Sequence, residues 1–132
     1  MSTLDSILSS NDKKKFAERY ENAPQEVQSL LDELVAIVQS KHSDINIYPS
    51  DKPDLRFVSD GRVCATMQIR KHAPVIKIDL LGVKGALPGT SLEFHNSGDA
   101  VLKSFVYLSD FDGITDGITY INESIANSKT IL

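Results

Sequence analysis

Apolar and polar residues alternate along the middle of the chain, over residues 63–81. A period of two is the pattern of strands that bury one face of a sheet. A turn over residues 71–74 would join the two halves into a hairpin with both apolar rows on the same side. A shift by one residue would bury Lys77 or Asp79, so the pattern predicts a single register. Its pairs are Ile69 with Ile76, Met67 with Ile78, and Ala65 with Leu80.

Apolar residues recur at helical spacing near both ends of the chain. A short helix is predicted from residues 11–12 to Glu21, and a longer helix after Pro24, because proline suits the first turn of a helix. Residues 109–112 resemble a capping box that opens a last helix, which we expect to fray after Asn127. The predicted buried residues are Phe16 and Tyr20 of the first helix, Val27, Leu30, Leu31, Leu34, Val35 and Val38 of the second, and Phe111, Ile114, Ile118, Ile121 and Ile125 of the last.

An Asp-Gly pair at residues 60–61 favours a hairpin between a strand over residues 55–58 and the central hairpin. A two-residue turn would place Phe57 opposite Cys64, on the polar side of the sheet. A three-residue loop over residues 59–61, with glycine in the left-handed region, buries the apolar residues instead. We therefore predict the longer loop, which pairs Phe57 with Val63 and Leu55 with Ala65.

Brief strands over residues 45–48 and 92–95 and a longer one over residues 101–108 complete the predicted sheet. Because strands and helices do not alternate, the order predicts an α+β fold. Its parts are N-terminal helices, an antiparallel meander sheet of about five strands, and a C-terminal helix packed on the same sheet face as the long N-terminal helix. We expect one domain over all 132 residues, with residues 1–22 as an N-terminal helical extension and residues 24–128 as the core.

The chain is mildly acidic, with a net charge of −4 and a pI near 5.3. This balance argues against broad affinity for nucleic acid or acidic lipid, although it allows a local basic patch. A single cysteine excludes an internal disulfide and suits a reducing compartment. The start of the chain lacks the pattern of a secretory signal, and no segment approaches the roughly 20 apolar residues of a membrane span. We therefore expect a cytoplasmic protein with no membrane association and no cofactor.

The registers leave one side of the sheet polar, and two aromatic residues of the last strand point to that side. Outward aromatic side chains near arginine and lysine supply anchor contacts in protein–protein interfaces. They also stack unpaired bases on RNA-recognition sheets. The third alternative is that residues 82–89 or the N-terminal helices cover them. We predict a protein partner or a homodimer, with nucleic acid as the alternative ligand. The candidate binding residues are Arg56, Gln68, Arg70, Lys77, Lys103, Phe105 and Tyr107.

Residues that would support catalysis are sparse. Cys64 as a nucleophile would need a neighbouring base, and Arg56 opposite it would lower the pKa of the thiol. The histidines lack the spacing of zinc ligands, so we predict no catalytic residue and no metal site. These histidines are His42, His72 and His95.

Residues 53–54 and 68–70 resemble the proline-aspartate and acid-x-lysine elements of restriction-type nucleases. The resemblance implies that Asp54 would hold a metal ion and that Arg70 stands where the family has lysine. Gln68 replaces the acidic residue of the motif. A degenerate metal-dependent nuclease is therefore a second alternative to the leading expectation, which is a non-enzymatic binding domain.

The order of the elements also supports a wider resemblance. A helix leads into a strand at residues 55–58, followed by residues 63–71, the apolar residues 74–81, a Gly-Asp pair, a strand, and a helix that starts at residues 109–112. In this order, residues 24–128 resemble a small bacterial domain of unknown function. That domain occurs alone or at the end of predicted restriction nucleases and predicted transport proteins. The resemblance implies a cytoplasmic accessory or binding domain linked to nucleic-acid processing, and it carries over no catalytic residues.

Overall fold

The computed structural model of the chain describes residues 14–50, 54–70, 73–96 and 104–130. These residues form three α-helices, one 3-10 helix and six strands, which is the predicted α+β fold with one strand more than expected. The helices are α1 (Lys14–Glu21), α2 (Gln25–Lys41) and α3 (Ile114–Thr130), and the 3-10 helix (Phe111–Gly113) directly precedes α3. The strands are β1 (Asn46–Pro49), β2 (Leu55–Ser59), β3 (Arg62–Ile69), β4 (Ile76–Leu80), β5 (Glu93–Asn96) and β6 (Ser104–Leu108).

The strands form one antiparallel sheet in the order β1-β2-β3-β4-β6-β5. The first four follow one another as a meander. After β4 the chain continues to the far edge, where β5 lies, and returns as β6 between β4 and β5. The central hairpin has the predicted register, because this is the alignment that places both apolar rows on one face. Its pairs include Ile69 with Ile76, Met67 with Ile78, and Ala65 with Leu80.

The predicted loop between β2 and β3 is wrong. The turn has two residues, Asp60 and Gly61, whose φ angles of 52° and 75° suit the mirror-image turn that joins twisted strands tightly. The register then skips Cys64, which forms a bulge in β3. The extra residue at the bulge, instead of an extra residue in the loop, brings the apolar side chains to the same face. The observed pairs are Leu55 with Met67, Phe57 with Ala65, and Val58 with Val63.

The helical stripes predicted from sequence supply nearly all the helical residues of the core. In α1, Phe16 is fully buried and Tyr20 nearly so, and both belong to the same apolar cluster as α2 and the sheet. The described part of residues 1–22 therefore packs into the core. The six predicted residues of α2 are all buried: Val27, Leu30, Leu31, Leu34, Val35 and Val38.

The start of α3 differs from the prediction. Phe111 is 50% exposed because it lies in the 3-10 helix. The cap is Asp110, whose carboxylate accepts a hydrogen bond from the Gly113 N–H at 3.1 Å, instead of the predicted capping box over residues 109–112. The helix continues to Thr130 instead of fraying after Asn127. Its buried apolar residues are Ile118, Tyr120, Ile121 and Ile125, of which Tyr120 was not predicted.

Helices α2 and α3 pack on the same face of the sheet. An added Cβ at Gly117 of α3 would lie 3.6 to 3.9 Å from Leu34 of α2, Ile78 of β4 and Leu108 of β6, so this residue lies where the two helices and the sheet meet. The two helices also contact each other through His42 and Asn122, whose Nε2 and Oδ1 atoms are 2.7 Å apart. Among the helices in the described ranges, none is long and apolar enough to cross a membrane.

Candidate binding surface on the open face of the sheet

The side of the sheet opposite α2 and α3 carries polar and aromatic side chains, and we call it the open face. The registers place Arg56 opposite Thr66, Thr66 opposite Asp79, and Asp79 opposite Phe105. These residues therefore form one row across four strands, which His95 of β5 extends. The open face comprises Tyr48, Arg56, Thr66, Gln68, Lys77, Asp79, Glu93, His95, Phe105 and Tyr107.

Three rings form a cluster at the β6–β5 end of the open face. The ring of His95 stacks on Phe105, with centroids 5.1 Å apart and planes 16° from parallel. Tyr107 meets both rings edge-on, each at a centroid distance of 5.5 Å. Offset stacking and edge-to-face contacts are the preferred arrangements of aromatic rings. The cluster is therefore held in one geometry by its own contacts.

A lysine completes the cluster. The Lys77 ammonium lies over the ring of Phe105, 4.3 Å from its centroid, in a cation–π arrangement. Because β6 lies between β4 and β5, Lys77 and His95 approach Phe105 from opposite sides. Both faces of the Phe105 ring are thus occupied by residues of the same chain, while the residue as a whole remains half-buried.

Asp79 connects this cluster to the centre of the sheet. Its carboxylate accepts a hydrogen bond from the Thr66 hydroxyl at 2.9 Å and lies 3.7 Å from the Lys77 ammonium. Burial raises the pKa of the Asp79 carboxyl above its ordinary value of 3.8, while the contacts with Thr66 and Lys77 act in the opposite direction. At the sheet edge, the Glu93 carboxylate lies 3.0 Å from Nε2 of His95. The open face therefore presents charges of both signs around its rings.

Among the described residues, neither the connection between β4 and β5 nor α1 covers the aromatic residues in the way that the third alternative required; residues 1–13, which belong to the same alternative, lie outside the described residues. Phe105 and Tyr107 are both half-buried. In the connection between β4 and β5, Val83 is buried in the core, and the Leu87 N–H donates to the Tyr120 hydroxyl of α3 at 2.9 Å. This connection is thus anchored on the helix side of the sheet. α1, for its part, buries Phe16 in the core.

The structure brings some of the predicted binding residues together and separates others. Lys77, Phe105 and Tyr107 lie in one cluster, and Gln68 is paired with Lys77 on the neighbouring strand. Arg56 lies on β2, two strands away from β4, and pairs with Tyr48 of β1 and Thr66 of β3. The two remaining predicted residues lie elsewhere: Arg70 at the end of β3, and Lys103 outside the described residues.

Arg70 lies at the border of two clefts. Its N–H donates to the Val75 carbonyl at 3.0 Å, which closes the end of the β3–β4 hairpin. A cleft of about 520 Å³ extends from Arg70 to Tyr107 and Glu93, so it adjoins the aromatic cluster. A second cleft, of about 640 Å³, extends from Arg70 towards α1.

The prediction that Cys64 faces outward, opposite Arg56, is wrong. The bulge turns this residue into the core, where its side chain is 0% exposed. Its thiol donates to the Phe57 carbonyl at 3.2 Å, and Arg56 is paired with Thr66. Burial raises the pKa of the Cys64 thiol from 9.0 to about 11, the opposite of the activation that a nearby arginine would produce.

Sequence reasoning missed two residues of the cluster, Glu93 and His95. Their alternation with Leu92 and Phe94 predicts a strand, and in the structure this strand pairs with β6 as a hairpin. The register pairs Glu93 with Tyr107 and His95 with Phe105, and aligning the two apolar rows would have indicated it.

The residues of the nuclease resemblance come together only in part. Because Leu55 pairs with Met67, Asp54 lies beside Gln68 on the neighbouring strand, whereas Arg70 lies beyond the end of β3. The Asp54 carboxylate accepts a hydrogen bond from the Ser50 hydroxyl. Within the part of the chain that the structure describes, no group of three or more His, Cys, Asp or Glu residues is placed to hold a metal ion. Gln68 and Arg70 lie at the end of β3 that leads into the hairpin turn.

Comparison of the chain with protein-family models, with curated proteins and with solved structures found no match in any of the three.

Proposed function

We propose that this chain is a non-enzymatic binding domain that acts through the open face of its sheet, and that a second copy of the chain is the first occupant to test. A different protein partner is the alternative occupant of the same surface. The observation that carries the proposal is the half-exposed cluster of Phe105, Tyr107 and His95 with Lys77 beside it. The accessory role implied by the resemblance to the small bacterial domain agrees with it.

The chemistry of the open face favours a protein over nucleic acid. A base needs an accessible ring face to stack on, and both faces of Phe105 are occupied by Lys77 and His95. Carboxylates of Asp79 and Glu93 flank the rings, which would repel a phosphate backbone. Tyrosine, phenylalanine and arginine surrounded by mixed charges are instead typical of protein–protein interfaces.

The distribution of charges on the open face supports the proposal of self-association. Arg56 and the 39% exposed Tyr48 lie towards β1, whereas the rings and Glu93 lie towards β5. A two-fold axis parallel to the strands would place the Arg56 side of one copy over the Phe105 side of the other. Two-fold dimers are the commonest oligomers, and each contact would then occur twice.

Light scattering across a range of protein concentrations tests this proposal on three proteins: wild type, Phe105→Glu, and the control Phe111→Glu. Phe111 is the matched control because it is an exposed phenylalanine in the 3-10 helix, away from the open face. We expect the mass of the wild type and of Phe111→Glu to rise towards that of a dimer with concentration, while Phe105→Glu stays monomeric with an unchanged circular dichroism spectrum.

Wild type that remains monomeric at every concentration would contradict self-association, and so would equal loss of dimer in the two variants. Fluorescence anisotropy of labelled single-stranded RNA and DNA at low salt tests the alternative that the open face binds nucleic acid. Binding that weakens as salt increases, and further in Arg70→Ala, would favour that alternative over a protein partner.

A further inference from the structure

We propose that the cleft between α1 and the end of the β3–β4 hairpin binds an acidic peptide segment of another protein. This cleft is separate from the open face, and the inference does not depend on the dimer proposed above. One wall comes from α1, one from the end of the hairpin, and the floor from the connection between α1 and α2. The lining residues are Lys15, Glu18, Arg19, Asn22, Ala23, Pro24, Ile69, Arg70, Ala73 and Pro74.

The dimensions of the cleft suit a ligand. Its volume is about 640 Å³, within the roughly 300–1,000 Å³ of typical binding clefts. Lys15, Arg70 and Pro74 are exposed at its border. A segment of a few residues can therefore enter from solvent without movement of the core.

The charge of the cleft is opposite to that of the chain. Among the described residues that line the cleft, Lys15, Arg19 and Arg70 contribute three positive charges against the single negative charge of Glu18. The chain as a whole carries a net charge of −4, so this cleft is a local concentration of cations. Such a site attracts carboxylates by Coulomb forces and orients them before contact.

One of these cations is already positioned by the fold. Nη1 of Arg19 donates to the Ile69 carbonyl at 3.1 Å, a contact that joins α1 to the end of β3. A guanidinium has five N–H donors in a fixed plane, so this bond uses only one of them. A positioned arginine loses little freedom when it binds a carboxylate, which favours binding.

The apolar lining distinguishes a peptide from a simple anion. Ala23 and Pro24, in the connection between α1 and α2, and Ala73 and Pro74, at the end of the hairpin, offer apolar surface beside the cations. A free phosphate or a nucleic-acid backbone has no apolar group to place there. A peptide in which glutamate or aspartate alternates with an aliphatic residue would bind the cations through its carboxylates and the apolar surface through its aliphatic side chains.

Fluorescence anisotropy tests the proposal with a labelled peptide of alternating glutamate and leucine, and with the same peptide carrying glutamine in place of glutamate. The variant is Arg70→Glu, and the matched control is Lys84→Glu, an exposed lysine outside the cleft. We expect the glutamate peptide to bind wild type more tightly than the glutamine peptide does. Arg70→Glu should weaken this binding about tenfold or more, and Lys84→Glu by about twofold at most.

The proposal is overturned if the two peptides bind equally, or if Arg70→Glu and Lys84→Glu weaken binding by the same factor. Displacement of the peptide by an equal concentration of inorganic phosphate would also overturn it, because the apolar wall would then contribute nothing. The Phe105→Glu variant should bind the peptide as wild type does. Failure of the open-face proposal would therefore leave this result unchanged.

Discussion

The two sides of the same six-stranded sheet differ in what covers them. On the helix side, Met67, Ile78 and Val106 are fully buried beneath α2 and α3. On the other side, the residues that alternate with them along the same strands, such as Gln68 and Tyr107, remain half-buried. One alternating pattern thus produces a face that stabilises the fold and a face that is accessible to a partner. Mutations on the helix side should therefore lower the free energy of unfolding more than mutations on the open face.

The largest difference is expected between neighbouring residues of β4. Ile78→Ala removes a fully buried side chain beneath both helices, which should lower the free energy of unfolding by about 3 kcal/mol. Lys77→Ala, on the open face, should lower it by about 1 kcal/mol or less, the worth of a partly exposed cation–π contact. Urea unfolding followed by circular dichroism measures both values. Equal losses would show that the two faces are covered alike.

The helix side also contains a hydrogen-bonded serine, and its removal should have the next largest effect. The Ser124 hydroxyl donates to the Cys64 carbonyl at the bulge and accepts from the Leu81 N–H at 2.7 Å. Ser124→Ala leaves two backbone groups without this partner, at a cost of about 2 kcal/mol. Thr119→Ala, on the exposed side of α3, is the control and should change the same urea midpoint little. If both variants unfold alike, Ser124 does not hold the bulge.

A smaller effect, of opposite sign, is expected from Gly117→Ala in α3. The nearest atoms would be 3.6 to 3.9 Å from the new methyl group, which is ordinary van der Waals contact. Alanine is a better helix former than glycine, so the free energy of unfolding should rise by roughly 0.5–1 kcal/mol. Thermal unfolding should give a higher midpoint. A lower midpoint would mean that the layers of the helix side are already in closest contact at this position.

On the open face, Asp79→Asn should change how stability depends on pH. Because burial raises the pKa of Asp79 above 3.8, the folded chain holds this proton to a higher pH than the unfolded chain does. The contribution to stability is therefore present below pH 3.8 and is lost as the pH rises through the folded pKa. The asparagine of the variant does not titrate, so the stability of the variant relative to wild type should increase as the pH rises.

Paired urea titrations of wild type and Asp79→Asn from about pH 4 to about pH 7 measure this difference. Acidic groups that do not interact with Asp79 contribute equally to both proteins and cancel. We expect the smallest effect of the series here, since Thr66 and Lys77 partly compensate the buried carboxylate. A difference that decreases with pH would show that these contacts outweigh the effect of burial.

The two hairpins show where prediction from the sequence succeeds and where it stops. In the β3–β4 hairpin, only one register buries every apolar residue, and the observed pairing of Met67 with Ile78 is the predicted one. In the β2–β3 hairpin, a longer loop and a bulge both satisfy the same alternation. The structure has the bulge at Cys64, which places a residue predicted to be outward in the core.

The candidate site was predicted only in part for a related reason. Alternation placed Phe105, Tyr107 and Lys77 on one face, and the structure has them there. The contact of His95 with Phe105 follows from the register of the β5–β6 hairpin, which the apolar rows of these two strands indicate. The contact of Lys77 with Phe105 depends instead on β6 lying beside β4, and local pattern says little about neighbours that are not consecutive in the chain.

By itself, the sequence determined the side-chain periods: the buried stripe of α2, the register of the central hairpin and the α+β class. These follow from local spacing, because burying an apolar face requires a period of two or 3.6 residues wherever the chain runs. Only the tertiary structure decided that β6 lies between β4 and β5, that Cys64 is buried, and that Arg70 borders a cationic cleft with α1. Those outcomes depend on contacts between distant segments, whose free energies no local pattern records.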